Sequence, residues 1–489
     1  MRISYKIFLI FYLTFFFTLK VFSQVESEYQ IFDSENLKSD IKEIIGDPFF
    51  EKTLIAIDIF DLTDSTSIFR INEKLLLRPA SNMKLLTSAA ALINLGEDYS
   101  FRTDLFHTGV ISGSTLYGDI YVVGAFDPDF TIDDLDSLVR IVQSLGIKEI
   151  KGGIFADVSN KDSLYWGKGW MWDDDPDPTA PYLSALNIND NSIKVFVEGD
   201  EIGLPAKVSL IPQTDFVEVV NNTITISPSS SDDFKITRDW VNRSNTIIVD
   251  GEVKKTTIID SSSNTKKINL LYPEKYFLTL FKDHLEEKGI KVEKDIDVVK
   301  ADGNSVYLAS IQRDIDTILS NVNKESDNLN AEMLIYAMAY KDSGAPANAD
   351  NGIAAVKRFI DSLGFSSDDY FIADGSGVSH YNLLSSELLL ESLKYMYYNQ
   401  KDLFDLFYNS LAIAGIDGTL MKRMKNNPAQ GNVHAKTGTL KGVSNLSGYV
   451  NGANGHLLAF SILIQNFVNE YSKVRSFQNK ICDLLAEYE

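Results

Sequence analysis

The segment Arg78-Pro-Ala-Ser-Asn-Met-Lys-Leu-Leu-Thr-Ser-Ala-Ala-Ala-Leu92 sets a helix-breaking proline directly before a run of helix formers. Pro79 disfavours helix just before it, whereas Ser81 onward has the composition of a buried helix. Residues i and i+3 share one helix face, so the Ser81 hydroxyl and the Lys84 amine are expected to meet there. Upstream, Thr53 to Asp61 alternates apolar and polar residues, Asp61 to Ser65 is turn-rich, and Thr66 to Ile71 returns as a second strand. A strand hairpin therefore delivers the chain to Ser81.

A serine hydroxyl next to an amine suggests acyl transfer, which needs a nucleophile, a base one turn away, further proton-handling groups and N–H donors for the oxyanion. A lysine must be neutral to act as base, and enclosure in an apolar helix lowers its pKa by disfavouring the ammonium form. A second lysine nearby would push the same way, and Lys436 is the candidate. The spacing S-x-x-K also occurs at Ser39-Lys42 and Ser263-Lys266, where a surface lysine is the plain explanation. The apolar setting of Lys84 sets Ser81 apart.

Two further motifs carry suitable groups. Lys436-Thr-Gly-Thr439 lies on an expected strand, where Gly438 permits close backbone approach and Thr437 and Thr439 offer hydroxyls to a carboxylate. Taken alone, it also reads as a polar edge strand with a bulge. Ser326-Asp-Asn328 precedes a helix and by itself is equally well its N-cap.

From about 99 to 260 the texture changes to short β-like runs broken by Gly, Asn, Asp and Ser, with one helix, Ile132 to Leu145. This reads as a β-rich insertion of one or two subdomains. Helical patterns resume at Pro273 to Lys288, Asn328 to Tyr340, Ala354 to Leu363, Ser385 to Tyr398 and Asp402 to Leu411. The strands His434 to Thr439, Ser444 to Val450 and Leu457 to Gln465 and a final helix then close the chain. Strands at both ends can pair in one sheet, which makes the domain holding Ser81 discontinuous, 24–98 plus 261–489, around an insertion at 99–260.

The 489 residues are 44% hydrophobic and 23% charged, enough for more than one core, and the net charge of −22 repels nucleic acid and anionic headgroups. Basic Met1 to Lys6, apolar Ile7 to Phe17 and small Ser23 have the plan of a secretory signal peptide, 1–23, cleaved after Ser23. Lys20 leaves an apolar run shorter than the ~20 residues that span a bilayer, so no stable transmembrane anchor is expected. The lone Cys482 cannot form an internal disulfide, and the five histidines show no zinc-ligand spacing.

In order, Ser81-Asn-Met-Lys84, Ser326-Asp-Asn328 and Lys436-Thr-Gly438 resemble the signature of penicillin-binding proteins and serine β-lactamases. The long stretch after the first motif is similar to the class C low-molecular-mass penicillin-binding proteins, the D-alanyl-D-alanine carboxypeptidase and endopeptidase family. Gly124-Ala-Phe-Asp-Pro128, Asp374-Gly-Ser-Gly-Val-Ser379 and Ala414-Gly-Ile-Asp-Gly-Thr-Leu420 resemble segments of it, although Ala125-Phe126 stand where the family has more glycine.

The resemblance implies an α/β (α+β) transpeptidase-like fold, an antiparallel sheet between helices interrupted by the insertion, with the three motifs converging at one sheet edge. It implies a periplasmic serine DD-peptidase acting on peptidoglycan stem peptides, with β-lactams as covalent inhibitors and no metal or organic cofactor. Ser81 would be the nucleophile, Lys84 its base, and Ser326 and Lys436 a proton relay to the departing amine. Asn328 would bind substrate, Thr437, Gly438 and Thr439 the carboxylate end, and the N–H groups of Ser81 and Thr439 the oxyanion. A β-lactamase, a non-hydrolytic penicillin-binding sensor or scaffold, and a plain esterase are the alternatives.

Overall fold

The computed structural model describes residues 35–258 and 264–489. The leader at 1–23 and the serine of the Ser263-Lys266 pair lie outside them. The chain divides into two compact units: one comprises the chain up to Leu75, Ser385–Tyr397 and Ala412–Glu489, the other Leu76–Leu384 and Tyr398–Leu411.

The first unit is built on a six-stranded sheet in the order Ala412–Ile413, Val433–Leu440, Val443–Asn451, Leu457–Gln465, Leu54–Asp61, Thr66–Ile71, with every neighbouring pair antiparallel. The amino-terminal hairpin is thus stitched to the last strand along eight consecutive pairs, from Leu54 opposite Gln465 to Asp61 opposite Leu458. Alternation sorts the side chains of the central strands onto two faces. Ile57, Leu446 and Ile462 enter a core shared with Val474, Ile481 and Cys482 of the carboxy-terminal helix Tyr471–Ala486. On the other face Ser447 and Ser461 hydroxyls sit 2.9 Å apart, and the Tyr449 hydroxyl donates to Leu393 O in the Ser386–Asn399 helix at 2.9 Å. Helices therefore cover both faces. At the hairpin turn His456 Nδ1 lies 2.7 Å from Asp61 Oδ2, and Asp61 Oδ1 accepts the N–H groups of Thr63 and Asp64.

Among the described residues the second unit holds four sheets. The largest runs Ile296–Val298, Ile154–Asp157, Ile120–Ala125, Ser100–His107, Val306–Asp314, mixing parallel and antiparallel pairs. A four-stranded sheet and two three-stranded sheets complete the β structure of this unit. They share one large apolar core with the amphipathic helices Ile132–Ser144 and Pro273–Glu287. Strands between residues 265 and 314 supply edges to sheets whose other strands lie between 100 and 254. The β-rich region therefore draws on chain beyond residue 260. The same unit carries the helices Met83–Leu95, Asn328–Ser343 and Ala349–Ser362, which pack on one another and are buried along much of their length.

Candidate active site

Pro79 leads into a 3-10 turn at Ala80–Asn82, and the α-helix proper begins at Met83. Ala80 is held at φ 47, a left-handed conformation that costs a non-glycine residue of order 1 kcal/mol or more and is kept only by strong surroundings. Here the surroundings are Gly377, at φ +82, whose missing Cβ would fall 1.9 Å from Ala80 O. The Asp374-Gly-Ser-Gly377 turn is thus the floor on which the Ser81 turn rests. A Gly377→Ala substitution combines that clash with an unfavourable φ, and is expected to cost at least about 2 kcal/mol and to displace Ser81. Thermal unfolding together with penicillin acylation of the folded fraction checks both effects.

Ser81 is half-buried at the mouth of the helix, while Lys84, one turn on, is fully enclosed. Lys84 Nζ donates to Ser81 Oγ at 3.2 Å, Asn328 Oδ1 at 2.5 Å and Ser376 O at 2.6 Å, which uses all three ammonium hydrogens. Burial drives the Lys84 pKa down to about 8, against the pull of Asp374, Asp327 and Glu332, which raise it. Glu332 is itself buried, and burial followed by the charge of Asp374 pushes its pKa up.

A neutral amine can accept a hydroxyl proton, whereas an ammonium cannot, so a base role for Lys84 carries a pH signature. Acylation by penicillin is therefore expected to rise about tenfold per pH unit up to about 8 and then level off, an ascending limb that stopped-flow rates across pH 6–10 would display.

Around this pair the polar groups are tightly bound. Asp374 is buried and accepts from Gly377 N (2.9 Å), Ser379 N (2.7 Å), Asn382 Nδ2 (2.7 Å) and Trp170 Nε1 (2.8 Å). Glu332 Oε1 accepts the N–H groups of Gly375 and Ser376 at 3.0 and 2.8 Å. Asp327 caps the Asn328–Ser343 helix through Asn330 N, and burial raises its pKa to about 6. Ser326, two residues before Asn328, takes a left-handed backbone at φ 64 with its N–H donating to Asn321 O. Asn328 also donates through Nδ2 to Thr179 O at 2.5 Å. Trp170 and Thr179 come from the β-rich stretch 99–260 and are absent from the sequence reading, as is Glu332.

The second unit thus brings together Ser81, Lys84 and Asn328. Lys436, Thr437, Gly438 and Thr439 lie on Val433–Leu440 of the six-stranded sheet in the other unit. Lys436 is fully buried with Nζ donating to Thr437 O at 3.0 Å, and Thr437 Oγ1 donates to Thr419 Oγ1 at 2.9 Å. Thr419, Thr437 and Thr439 border a cavity of about 390 Å³ whose wall includes Lys422, Arg423 and Arg475. Arg423 is lowered to about 10, by burial first. Hydroxyls beside clustered cations suit a carboxylate.

The chain matches the D-Ala-D-Ala carboxypeptidase 3 (S13) family over residues 37–488. It is 31% identical over 467 residues to the D-alanyl-D-alanine carboxypeptidase of Actinomadura sp. (strain R39), covering 92% of this chain and 85% of that one. Its fold is similar to the crystal structure of penicillin-binding protein 4 (dacB) from Haemophilus influenzae, with TM-score 0.80 and 25% identity over 92% of this chain and 99% of that chain. A second structure of that protein, complexed with a β-lactam, matches with TM-score 0.74 and 24% identity over 92% and 100% of the two chains.

Proposed function

The chain belongs to the D-Ala-D-Ala carboxypeptidase 3 (S13) family, and from that premise we propose that Ser81 opens the terminal peptide bond of D-alanyl-D-alanine stem peptides through an acyl-enzyme. The activity is that of a serine-type D-Ala-D-Ala carboxypeptidase. The observation that carries the choice of residues is the enclosed Lys84 amine, 3.2 Å from Ser81 Oγ, with its pKa brought down toward neutrality.

In this mechanism neutral Lys84 takes the hydroxyl proton as Ser81 Oγ bonds to the carbonyl carbon of the penultimate D-alanine. The tetrahedral intermediate collapses, the C–N bond breaks, and the terminal D-alanine leaves as a protonated amine. Water then hydrolyses the ester and frees Ser81. Asn328, with Oδ1 on Lys84 and Nδ2 on Thr179 O, holds the base in place and is the proposed contact for the peptide backbone. Motif order supports Ser326 and Lys436 as the relay that protonates the leaving amine. The hydroxyls of Thr437 and Thr439 beside Lys422, Arg423 and Arg475, with Gly438 between them, support a role in carboxylate recognition.

The leader at 1–23 supports export to the periplasm, and no helix of the described residues is long and apolar enough to cross a membrane. The site chemistry calls for no cofactor. β-Lactams, which present a strained amide to the same nucleophile, are proposed as covalent inhibitors.

The test is incubation of the purified protein with a fluorescent penicillin and, separately, with a pentapeptide ending in D-Ala-D-Ala and a cross-linked muropeptide dimer. Covalent labelling with release of D-alanine is expected, and cleavage of the dimer would add endopeptidase action. Labelling without release from either substrate would point to a sensor or scaffold, and absence of labelling would overturn the proposal.

A further inference from the structure

All four tryptophans of the chain, Trp166, Trp170, Trp172 and Trp240, line one cleft of about 460 Å³ in the second unit, together with Tyr182 and Arg243. That volume falls within the roughly 300–1,000 Å³ of small-ligand sites. The rings pack in two groups on the lining: Trp172 and Trp240 centroids are 4.2 Å apart, while Trp166 lies 5.3 Å from Trp170 and 5.1 Å from Tyr182. Trp172 leaves 66% of its surface to solvent, an expensive exposure for the largest apolar side chain. Two lining residues, Arg243 at φ 51 and Tyr272 at φ 58, are held in left-handed backbone, a strain that gathers at binding sites.

The polar groups of the cleft select among ligands. Arg243 makes no side-chain hydrogen bond or ion pair among the described residues, and neither do the indole N–H groups of Trp172 and Trp240. The cleft's carboxylate, Asp175, is already engaged on both oxygens, by buried Arg238 and by the Tyr182 hydroxyl at 2.9 Å. What the cleft offers is therefore flat aromatic faces, unspent neutral indole donors and one cationic donor, Arg243. A cationic side chain would meet Arg243, and a purely aliphatic one would leave the donors unused. A pyranose ring presents C–H groups to an aromatic face and oxygen acceptors at its rim, and an N-acetyl group adds a carbonyl acceptor.

We propose that this cleft is a saccharide subsite that takes an N-acetylated pyranose of the glycan strand bearing the stem peptide. The choice of that sugar rests on the peptidoglycan reading above, while the cleft itself requires neither Ser81 nor Lys84.

The experiment titrates the β-1,4-linked tetrasaccharide of N-acetylglucosamine, up to about 10 mM, into the full protein and its Ser81→Ala form, following heat and tryptophan emission. Because every tryptophan lines the cleft, saturable quenching is expected in both proteins. Trp240→Ala and Trp172→Ala should weaken binding by about 30-fold, the loss usual for an aromatic anchor that a ligand covers, and Arg243→Ala should weaken it less. The Trp172 and Trp240 variants should release D-alanine from a short tripeptide at the wild-type kcat/KM but more slowly from polymeric peptidoglycan. Absence of saccharide binding, or binding undiminished in the folded Trp172→Ala protein, would overturn the proposal. Quenching by a sugar-free diamino-acid stem peptide in place of the saccharide would overturn it too, and would make the cleft a peptide site. Failure of D-alanine release with saccharide binding intact would instead count against the peptidase reading alone.

Discussion

Ser81→Ala protein is expected to fold as the wild type does, to take up no fluorescent penicillin, and to lose D-alanine release by about 10⁶-fold, the scale on which a serine hydrolase fails without its nucleophile. Ser81 Oγ makes one contact of note, the 3.2 Å hydrogen bond from Lys84, and Ser81 is half-buried. Removing a bond of that kind costs about 1 kcal/mol, which moves Tm by no more than about 4 °C. The left-handed turn at Ala80 is held by Gly377 and does not depend on the hydroxyl. Loss of labelling alongside a Tm within about 4 °C of the wild type therefore isolates the chemistry. A variant that still labels would move the nucleophile elsewhere.

Lys84→Met should be strongly but less completely impaired, with acylation down about 10³- to 10⁴-fold, and its stability is the more informative measurement. Two effects oppose each other. The buried ammonium carries a desolvation cost that, for a pKa brought from 10.5 to about 8, is of order 3 kcal/mol, and methionine removes it. Asn328 Oδ1 and Ser376 O, which accept from Nζ, are then left without that donor, at about 1–3 kcal/mol each. The terms nearly cancel, so at pH 7 Tm should shift by only a few degrees in either direction. The sign of the pH dependence is fixed. The lysine's penalty is fully present below pH 8 and fades toward pH 10.5, where the unfolded lysine also loses its proton. Wild type should thus gain on the variant as pH rises through that window, which melting curves at pH 7 and pH 10 would resolve.

The reach of sequence reasoning follows the range of the interactions involved. Ser81 and Lys84 are legible because helical spacing alone brings them together, and Asn328 only through the ordered set of three motifs, since its own motif at a helix start reads equally well as an N-cap. The closing strands and the final helix are legible from alternation and from an apolar periodicity that includes Cys482. Glu332 and Trp170 are not. Glu332 sits inside a helix buried so completely that it shows no polar face, and its two backbone donors come from a turn more than forty positions away. Trp170 reaches Asp374 across 204 positions, from a loop with no periodic pattern. The left-handed Ala80 gave no sign either, since a glycine would have marked such a position and alanine does not. The edges of the β-rich region were hidden for a related reason. Val306–Asp314 pairs with Ser100–His107 across some two hundred residues, and a pairing at that distance leaves no local trace in either strand.

The eight-pair seam between Leu54–Asp61 and Leu457–Gln465 also dictates the order in which the molecule can be finished. Polypeptide emerges amino end first, so the opening hairpin waits through the synthesis of about 400 further residues before its neighbour exists. Throughout that interval the backbone edge of Leu54–Asp61 has nothing to pair with, and the apolar face bearing Ile55, Ile57 and Ile59 lacks the carboxy-terminal helix that shares its core. A ribosome stalled before codon 457 should accordingly display the hairpin to proteases, and release of the completed chain should hide it.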